Sequence, residues 1–427
     1  MRTPCPVWGA LALAACGGQA ASGNQADASP LVDATSAPDT SGDGEASVCA
    51  SAALGAPTSY STAYPPSGLV VYSPSGGVPN VIALEPGAPP PSLELLVNLG
   101  NGSFAPGTFE GSTGQDFYDA VTADFDGDGL ADIASENAIR GDGGLEGALQ
   151  IDRGTGGGAF ATQLTTYPIP QSSGSLAAGD FNKDGHLDVA IAGATLMPRS
   201  DGVNVVASGL DVFLNDGRGS FGSPVTYPDN QGDLLDSIAA GDFDGDGSLD
   251  LALFPDGLFL NTGTGTFRAE LPLPALPGDA GPSFVPYWAV GDFNRDGKSD
   301  LVASVGPTEI AVLLAVGGGS FAPAVTYDTS STPSVVAVGD FNGDSYPDVA
   351  MLLDEETASS SLTLRMNQHD GTLGAEITVA VGPYAASLYV ADFNGDGVAD
   401  VAVTNDGFYA PDGGGPSSFT VVLFECR

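Results

Sequence analysis

The chain has 427 residues, with 11 Lys and Arg against 53 Asp and Glu, giving a formal net charge of −42. That length suits one large all-β domain or two smaller ones, and the charge excludes a basic surface for nucleic acid or for anionic lipid headgroups.

At the N-terminus, Arg2 is followed by an apolar run from Val7 to Ala15 and then Cys16. This is the layout of an export signal, and the run is about half the length needed to span a bilayer. Leu13-Ala14-Ala15-Cys16 resembles the bacterial lipoprotein box. The resemblance implies that residues 1–15 are removed and that Cys16 carries a lipid anchor as the first mature residue. Gly17, not Asp, follows the cysteine; by the same resemblance the outer membrane or cell surface is favoured over the inner membrane. Residues 16–47 are mostly Ala, Ser, Asp, Gly, Thr and Pro, which bury no core and predict a disordered tether. Cys49 and Cys426 remain, one at each end of the folding region 48–427. In an exported chain such a pair predicts a disulfide, with two unpaired buried thiols as the alternative.

The first unit of the folding region is degenerate. Residues 70–83 align without a gap on 290–303, but Tyr72 stands where an aspartate recurs in later units. Its third strand and turn, Leu95-Leu96-Val97-Asn98 followed by Gly100-Asn101-Gly102-Ser103-Phe104, are intact. A blade without metal is expected there.

Six copies of a nine-residue acidic loop follow. The first carries Asp124, Asp126, Asp128, Leu130 and Asp132 at positions 1, 3, 5, 7 and 9. The second has Asp180, Asn182, Asp184, His186 and Asp188 there, and the third Asp242, Asp244, Asp246, Ser248 and Asp250. The fourth has Asp292, Asn294, Asp296, Lys298 and Asp300, and the fifth Asp340, Asn342, Asp344, Tyr346 and Asp348. The sixth has Asp392, Asn394, Asp396, Val398 and Asp400. Position 6 is Gly except at Ser345, as suits a turn with positive φ. Position 7 takes any side chain, which points to its carbonyl as the donor. Four side-chain oxygens and a carbonyl suit Ca²⁺, whereas Mg²⁺ keeps more of its waters. An EF-hand would need Glu at position 12, where these loops have Ser135, Ile191, Leu253, Ala303, Met351 and Val403. A metal-free Asp/Gly turn explains one such loop, but not six at fixed spacing. Up to six Ca²⁺ ions are therefore expected.

The first aspartates lie 56, 62, 50, 48 and 52 residues apart. A period near fifty made of short strands signals a propeller. Each unit reads as strand, acidic loop, strand, strand, Asn-x-Gly turn and strand. The last unit stops after its third strand, 419–424, while residues 55–60 resemble the fourth strand at 321–327. The expected fold is thus all-β: a seven-bladed propeller of four-stranded antiparallel blades, with an N-terminal strand completing the last blade and a Cys49–Cys426 bridge across the seam.

These repeats resemble the FG-GAP/VCBS calcium-binding repeats of integrin α-subunit propellers and of many bacterial exported proteins. The resemblance covers about residues 50–427. It implies that the five odd positions of each intact loop coordinate calcium, position 7 through its carbonyl. It also implies that partners use the face away from calcium.

On that second face the sequence places its length variation, as loop insertions at 135–147 and 193–209 and a long connection at 272–287. Rigidly supported loops commonly bind, although drift in loop length is the simpler account of any one of them. Trp288 and the Phe after each first Asp read as packing residues. The two histidines, His186 and His369, have no Ser or Cys in a nucleophile motif, so no catalytic residue is assigned. The function expected is a monomeric, surface-anchored adhesion module for a protein or polysaccharide ligand. A lectin or carbohydrate-active enzyme and a passive scaffold are the alternatives.

Overall fold

The computed structural model describes residues 52–426, except 63–65, 67, 73–77, 86–91, 106–107, 111–116, 142–143, 157–158, 162–164, 170–171, 199–203, 229–236, 255–256, 269–270, 275, 277–286, 355–359 and 406–417. The expected signal, the lipidated Cys16, the tether and Cys49 of the expected Cys49–Cys426 disulfide lie outside the described residues, as does most of the 272–287 connection.

Seven four-stranded antiparallel sheets form the blades. Blade 1 comprises Gly68–Tyr72, Asn80–Glu85, Ser92–Leu96 and Thr108–Glu110. Blade 2 comprises Phe117–Ala123, Asp132–Gly141, Gly144–Asp152 and Thr165–Pro168, and blade 3 Ser172–Gly179, Asp188–Pro198, Asn204–Phe213 and Val225–Pro228. Blade 4 comprises Ser237–Gly241, Asp250–Phe254, Gly257–Phe259 and Leu271–Pro272, and blade 5 Trp288–Gly291, Asp300–Gly306, Glu309–Leu313 and Val325–Asp328. Blade 6 comprises Thr332–Gly339, Asp348–Asp354, Ser360–Asn367 and Leu373–Gly382. Blade 7 takes Ala385–Ala391, Asp400–Asn405 and Ser418–Val422 from the C-terminal end and Thr58–Ser61 from the N-terminal end.

The first strands of neighbouring blades touch around the whole circle, blade 7 meeting blade 1. Each blade is covered on both sides, so its inner strands read as apolar runs instead of alternating. In blade 3, Val189 and Ile191 pack with Phe125 and Leu149 of blade 2. Ala190 and Ala192, on the other side of the same strand, pack with Leu251 and Leu253 of blade 4. Trp288 is buried in the same way between blades 4 and 5.

The end of each first strand sets how closely the blades approach. A Cβ added to Gly339 of blade 6 would fall 2.7 Å from Val390 Cγ1 and 3.1 Å from Ala399 Cβ, both in blade 7. Gly179, Gly241 and Gly291 meet the following blade at 2.7–2.8 Å in the same manner.

The seam reproduces the joints elsewhere. In blades 2, 3 and 5 a fourth-strand tyrosine hydroxyl (Tyr167, Tyr227, Tyr327) accepts an N–H from the next blade, from Phe221, Phe267 and Leu373. Tyr60, on the N-terminal strand, donates its hydroxyl to Gly102 O of blade 1 at 3.4 Å and packs against Phe104 and Phe419. Ala52–Leu54 then pairs with Phe424–Cys426, Ala52 opposite Cys426.

One expectation is corrected. The segments 135–147 and 193–209 are not loop insertions but extensions of the second and third strands. In blade 2 the ladder runs to Gly141↔Gly144, and in blade 3 to Pro198↔Asn204. These strands have 9–11 residues, against 3–8 for their counterparts in the other blades. Blades 2 and 3 therefore raise adjacent β-hairpins on the face away from the acidic loops.

The glycine contact gives a direct test. Gly339→Ala should destabilise the protein by about 1–3 kcal/mol, the range for overpacking a close-packed interior. Denaturant unfolding measures this, and an unchanged midpoint would show that blades 6 and 7 are not in close contact there.

Candidate metal-binding loops

Each loop joins the first strand of a blade to the second and is folded around its own carboxylates. In blade 4, Asp242 Oδ1 accepts the N–H of Gly245 and Asp246 at 2.8 and 3.1 Å, and Oδ2 accepts that of Gly247 at 2.8 Å. Asp244 Oδ1 accepts the N–H of Asp246, and Asp246 Oδ1 that of Ser248. The last bond recurs in every loop: Leu130, His186, Lys298, Tyr346 and Val398 donate to Asp128, Asp184, Asp296, Asp344 and Asp396 at 2.8–3.0 Å.

Such tight turns need positive φ at two places. Position 6 was legible in the sequence; Ser345 adopts φ 67° there without being glycine. Position 4 was not: it holds Lys183 at 60° and Arg295 at 55°, alongside four glycines.

Position 9 differs in kind. Asp132, Asp188, Asp250, Asp300, Asp348 and Asp400 are each 0% exposed. One carboxylate oxygen accepts the N–H of the loop's own Phe: Phe125, Phe181, Phe243, Phe293, Phe341 or Phe393, at 2.8–3.1 Å. The other accepts an N–H at or just beyond the end of the third strand: Gly154, Asn215, Asn261, Ala315, Asn367 or Phe424, at 2.7–2.8 Å. Desolvation, reinforced by the other carboxylates of the loop, outweighs these donors. It pushes Asp132 and Asp188 up to about 6, Asp250, Asp300 and Asp348 to about 7, and Asp400 to about 8.

The asparagine of the third-strand turn was read only as a turn residue. The structure makes it the link between blades. Asn215 Nδ2 donates to Phe125 O of blade 2 at 2.7 Å, and Asn261 Nδ2 to Phe181 O of blade 3 at 2.7 Å. Asn367 reaches Phe293 O at 2.8 Å, and Asn98 crosses the seam to Phe393 O at 2.7 Å. Its recurrence at one place in four units was the available signal.

In two loops, carboxylate oxygens from three aspartates converge within 4.8 Å: Asp124, Asp126 and Asp128, and Asp242, Asp244 and Asp250. These are the two loops with Asp at position 3; the other four carry Asn there. Every side-chain donor is a hard oxygen, the set that suits a divalent cation such as Ca²⁺. In blade 1 the corresponding segment runs from Tyr72 to Asn80 with no acidic residue.

Basic side chains lie over the loops. Lys298 Nζ is 2.8 Å from Asp296 Oδ2, Arg153 Nη1 is 3.4 Å from Asp126 Oδ2, and His369 Nε2 is 2.8 Å from Asp344 Oδ2. His369 also stacks on Tyr346 at 4.5 Å, and the Arg295 guanidinium lies 5.0 Å from the same ring.

Two repeat-family models match segments that contain these loops. The FG-GAP-like repeat matches residues 77–135 and 292–351, each segment ending just past an acidic loop, and the FG-GAP repeat matches 384–423. The chain carries FG-GAP repeats. No curated protein matches it. Among solved structures, the V. cholerae biofilm matrix protein Bap1 aligns with TM-score 0.37 and 14% identity, over 81% of this chain and 78% of that one. No helix among the described residues is long and apolar enough to cross a membrane.

The position-9 carboxylates give a pH prediction. In the metal-free protein their pKa lies above the unfolded value of 3.8, at about 6 to 8. The folded state therefore holds protons that the unfolded state releases. This contribution is present at low pH and is lost as pH rises through 6 to 8. In chelator, Tm should fall between pH 5.5 and pH 8. In excess calcium the fall should vanish, because the metal holds the same groups ionised. Parallel Tm–pH curves with and without calcium would contradict this account.

Proposed function

We propose that the chain is a calcium-loaded, non-catalytic binding module of FG-GAP type, exported and anchored through Cys16, with Ca²⁺ in all six acidic loops. The carrying observation is the contrast between blade 1 and the rest. There Asn80 stands at position 9, and its Oδ1 accepts the N–H of Asn98 at 2.8 Å. An amide thus suffices for the bond that ties loop to third strand. Six blades nevertheless keep a fully buried carboxylate at this point, with further carboxylates above it. A buried carboxylate is costly unless a positive charge compensates it, and a divalent cation among the loop oxygens supplies that charge. The side chains at positions 1, 3, 5 and 9 would hold it, together with the carbonyl at position 7. Bound calcium contributes structure: it neutralises the loops and couples metal binding to folding.

The ligand, a protein or polysaccharide, engages the opposite face. The hairpins of blades 2 and 3 stand side by side there on a rigid ring, and such projections commonly bind. Both histidines fall within the loop architecture, His186 at position 7 and His369 against Asp344 and Tyr346. This supports a role in organising loops instead of catalysis.

Removing calcium with excess chelator should lower Tm markedly, and Asp242→Ala should cost more stability than Asp370→Ala in an exposed turn. A melting curve indifferent to chelator would rule out a structural metal. A glycan array and a pull-down from candidate host or matrix material, each with and without chelator, should identify the ligand. Shortening the blade 3 hairpin by deleting 195–207 should abolish its capture; capture that persists would place the ligand elsewhere.

A further inference from the structure

The outermost strand of every blade is a sheet edge, a row of unpaired N–H and C=O groups open to another strand. In six blades this edge is blunted. Among the described residues, the fourth strands of blades 1, 2, 3, 4, 5 and 7 have 2–4 residues. Each carries or closely follows a proline: Pro106, Pro168, Pro224, Pro272, Pro323 and Pro57 respectively. Proline cannot extend a ladder, and short edges offer little to pair with.

Blade 6 lacks both devices. Its fourth strand, Leu373–Gly382, has 10 residues and no proline. Leu373 occupies the place of Phe321 in blade 5, so Ala375 stands where blade 5 has Pro323. Pairing with the third strand is unbroken from Arg365↔Glu376 to Ser361↔Ala380, with bulges only at either end. The central segment Glu376-Ile377-Thr378-Val379-Ala380 is rich in β-branched residues. Ile377 is 43% exposed, and Ala375, Thr378 and Ala380 are exposed with it. In a chain of net charge −42 this strand has one charged residue, Glu376, and Arg365 of the adjacent strand neutralises it at 3.3 Å.

We infer that the outer edge of blade 6 is a docking site for an extended, basic segment of a partner protein, which adds to the blade as a fifth strand. Strand addition takes affinity from main-chain hydrogen bonds and selectivity from alternate side chains. The edge offers an uncharged strip for the first. The charge of the whole chain selects the partner: a strand lying along it at about 4.8 Å brings the rest of its protein close to a strongly negative body. A second copy of this chain brings another −42 and is repelled, whereas a lysine- or arginine-bearing strand is drawn in. The site is remote from the hairpins proposed above to hold the main ligand, so either assignment can fail alone.

The test uses the calcium-loaded full chain and a synthetic nine-residue peptide alternating lysine with valine and threonine. A second peptide of identical sequence is N-methylated at alternate backbone amides. Fluorescence anisotropy and amide hydrogen exchange are the readouts. The first peptide should bind and protect amides within 374–380; the methylated peptide should bind at least tenfold more weakly. Ile377→Lys, at an exposed side chain, should leave Tm unchanged and weaken the first peptide at least tenfold. Equal binding of both peptides would show attraction by charge alone and overturn the proposal. So would protection confined to the acidic loops, no binding at all, or light scattering that shows the chain pairing with itself through this edge.

Discussion

The carboxylate at position 9 is the joint from which the rest of the ring is hung. It sits between the loop and the end of the third strand of its own blade and accepts N–H groups from both. Through the first it fixes the loop's phenylalanine, whose ring is buried in the blade core and whose carbonyl faces the next blade. Through the second, in blades 3, 4 and 6, it fixes the turn asparagine that reaches back to the preceding blade's phenylalanine carbonyl. A single side chain thus couples loop shape, strand spacing and blade spacing. Removing one partner of a buried hydrogen-bonded charge leaves the other groups unsatisfied, so damage there propagates along the ring.

Closure follows from repeating that joint. Glycine before four of the six loops, at 179, 241, 291 and 339, lets a first strand approach the following blade to van der Waals contact, and the fourth-strand tyrosines of blades 2, 3 and 5 bond to the next blade's outer turn. Tyr60 carries the second device across the seam, and Asn98 carries the asparagine bridge across it. The joint between blades 7 and 1 therefore uses the same chemistry as those of blades 2 and 3, 3 and 4, and 5 and 6, although it is made by the two ends of the chain. The replacement of tyrosine by Val379 in blade 6 fits this: blade 7 has no continuous turn between its third and fourth strands for a tyrosine to hold.

Much of this was legible in the letters. Six loops at a period near fifty, the degenerate unit at Tyr72 and the truncated last unit determine the number of blades and the way they close. The signals were legible because acid spacing and strand order are local or periodic. The asparagine bridges were not, since an Asn-x-Gly turn already has a sufficient local explanation and its partner lies 74 to 295 residues away. Position 4 was hidden because Lys183 and Arg295 sit in a conformation that usually selects glycine. The hairpins of blades 2 and 3 read as loop insertions because the sequence of 135–147 and 193–209 carries no regular alternation of apolar and polar residues.

The distribution of positive charge completes the physical picture. Of the 11 basic residues, Arg153, Lys183, Arg218, Arg268, Arg295 and Lys298 lie in the acidic loops or the turns beside them, as do both histidines. Several are in direct contact with loop carboxylates. Serine and lysine groups also act together at Asp246, whose pKa the Ser248 hydroxyl lowers first and Lys183 and Arg268 lower further. The scarce cations are thus spent where carboxylates are densest. Bound metal would neutralise much of the charge that these loops still carry. The remaining carboxylates lie outside these loops, and it is their field that can discriminate among partners.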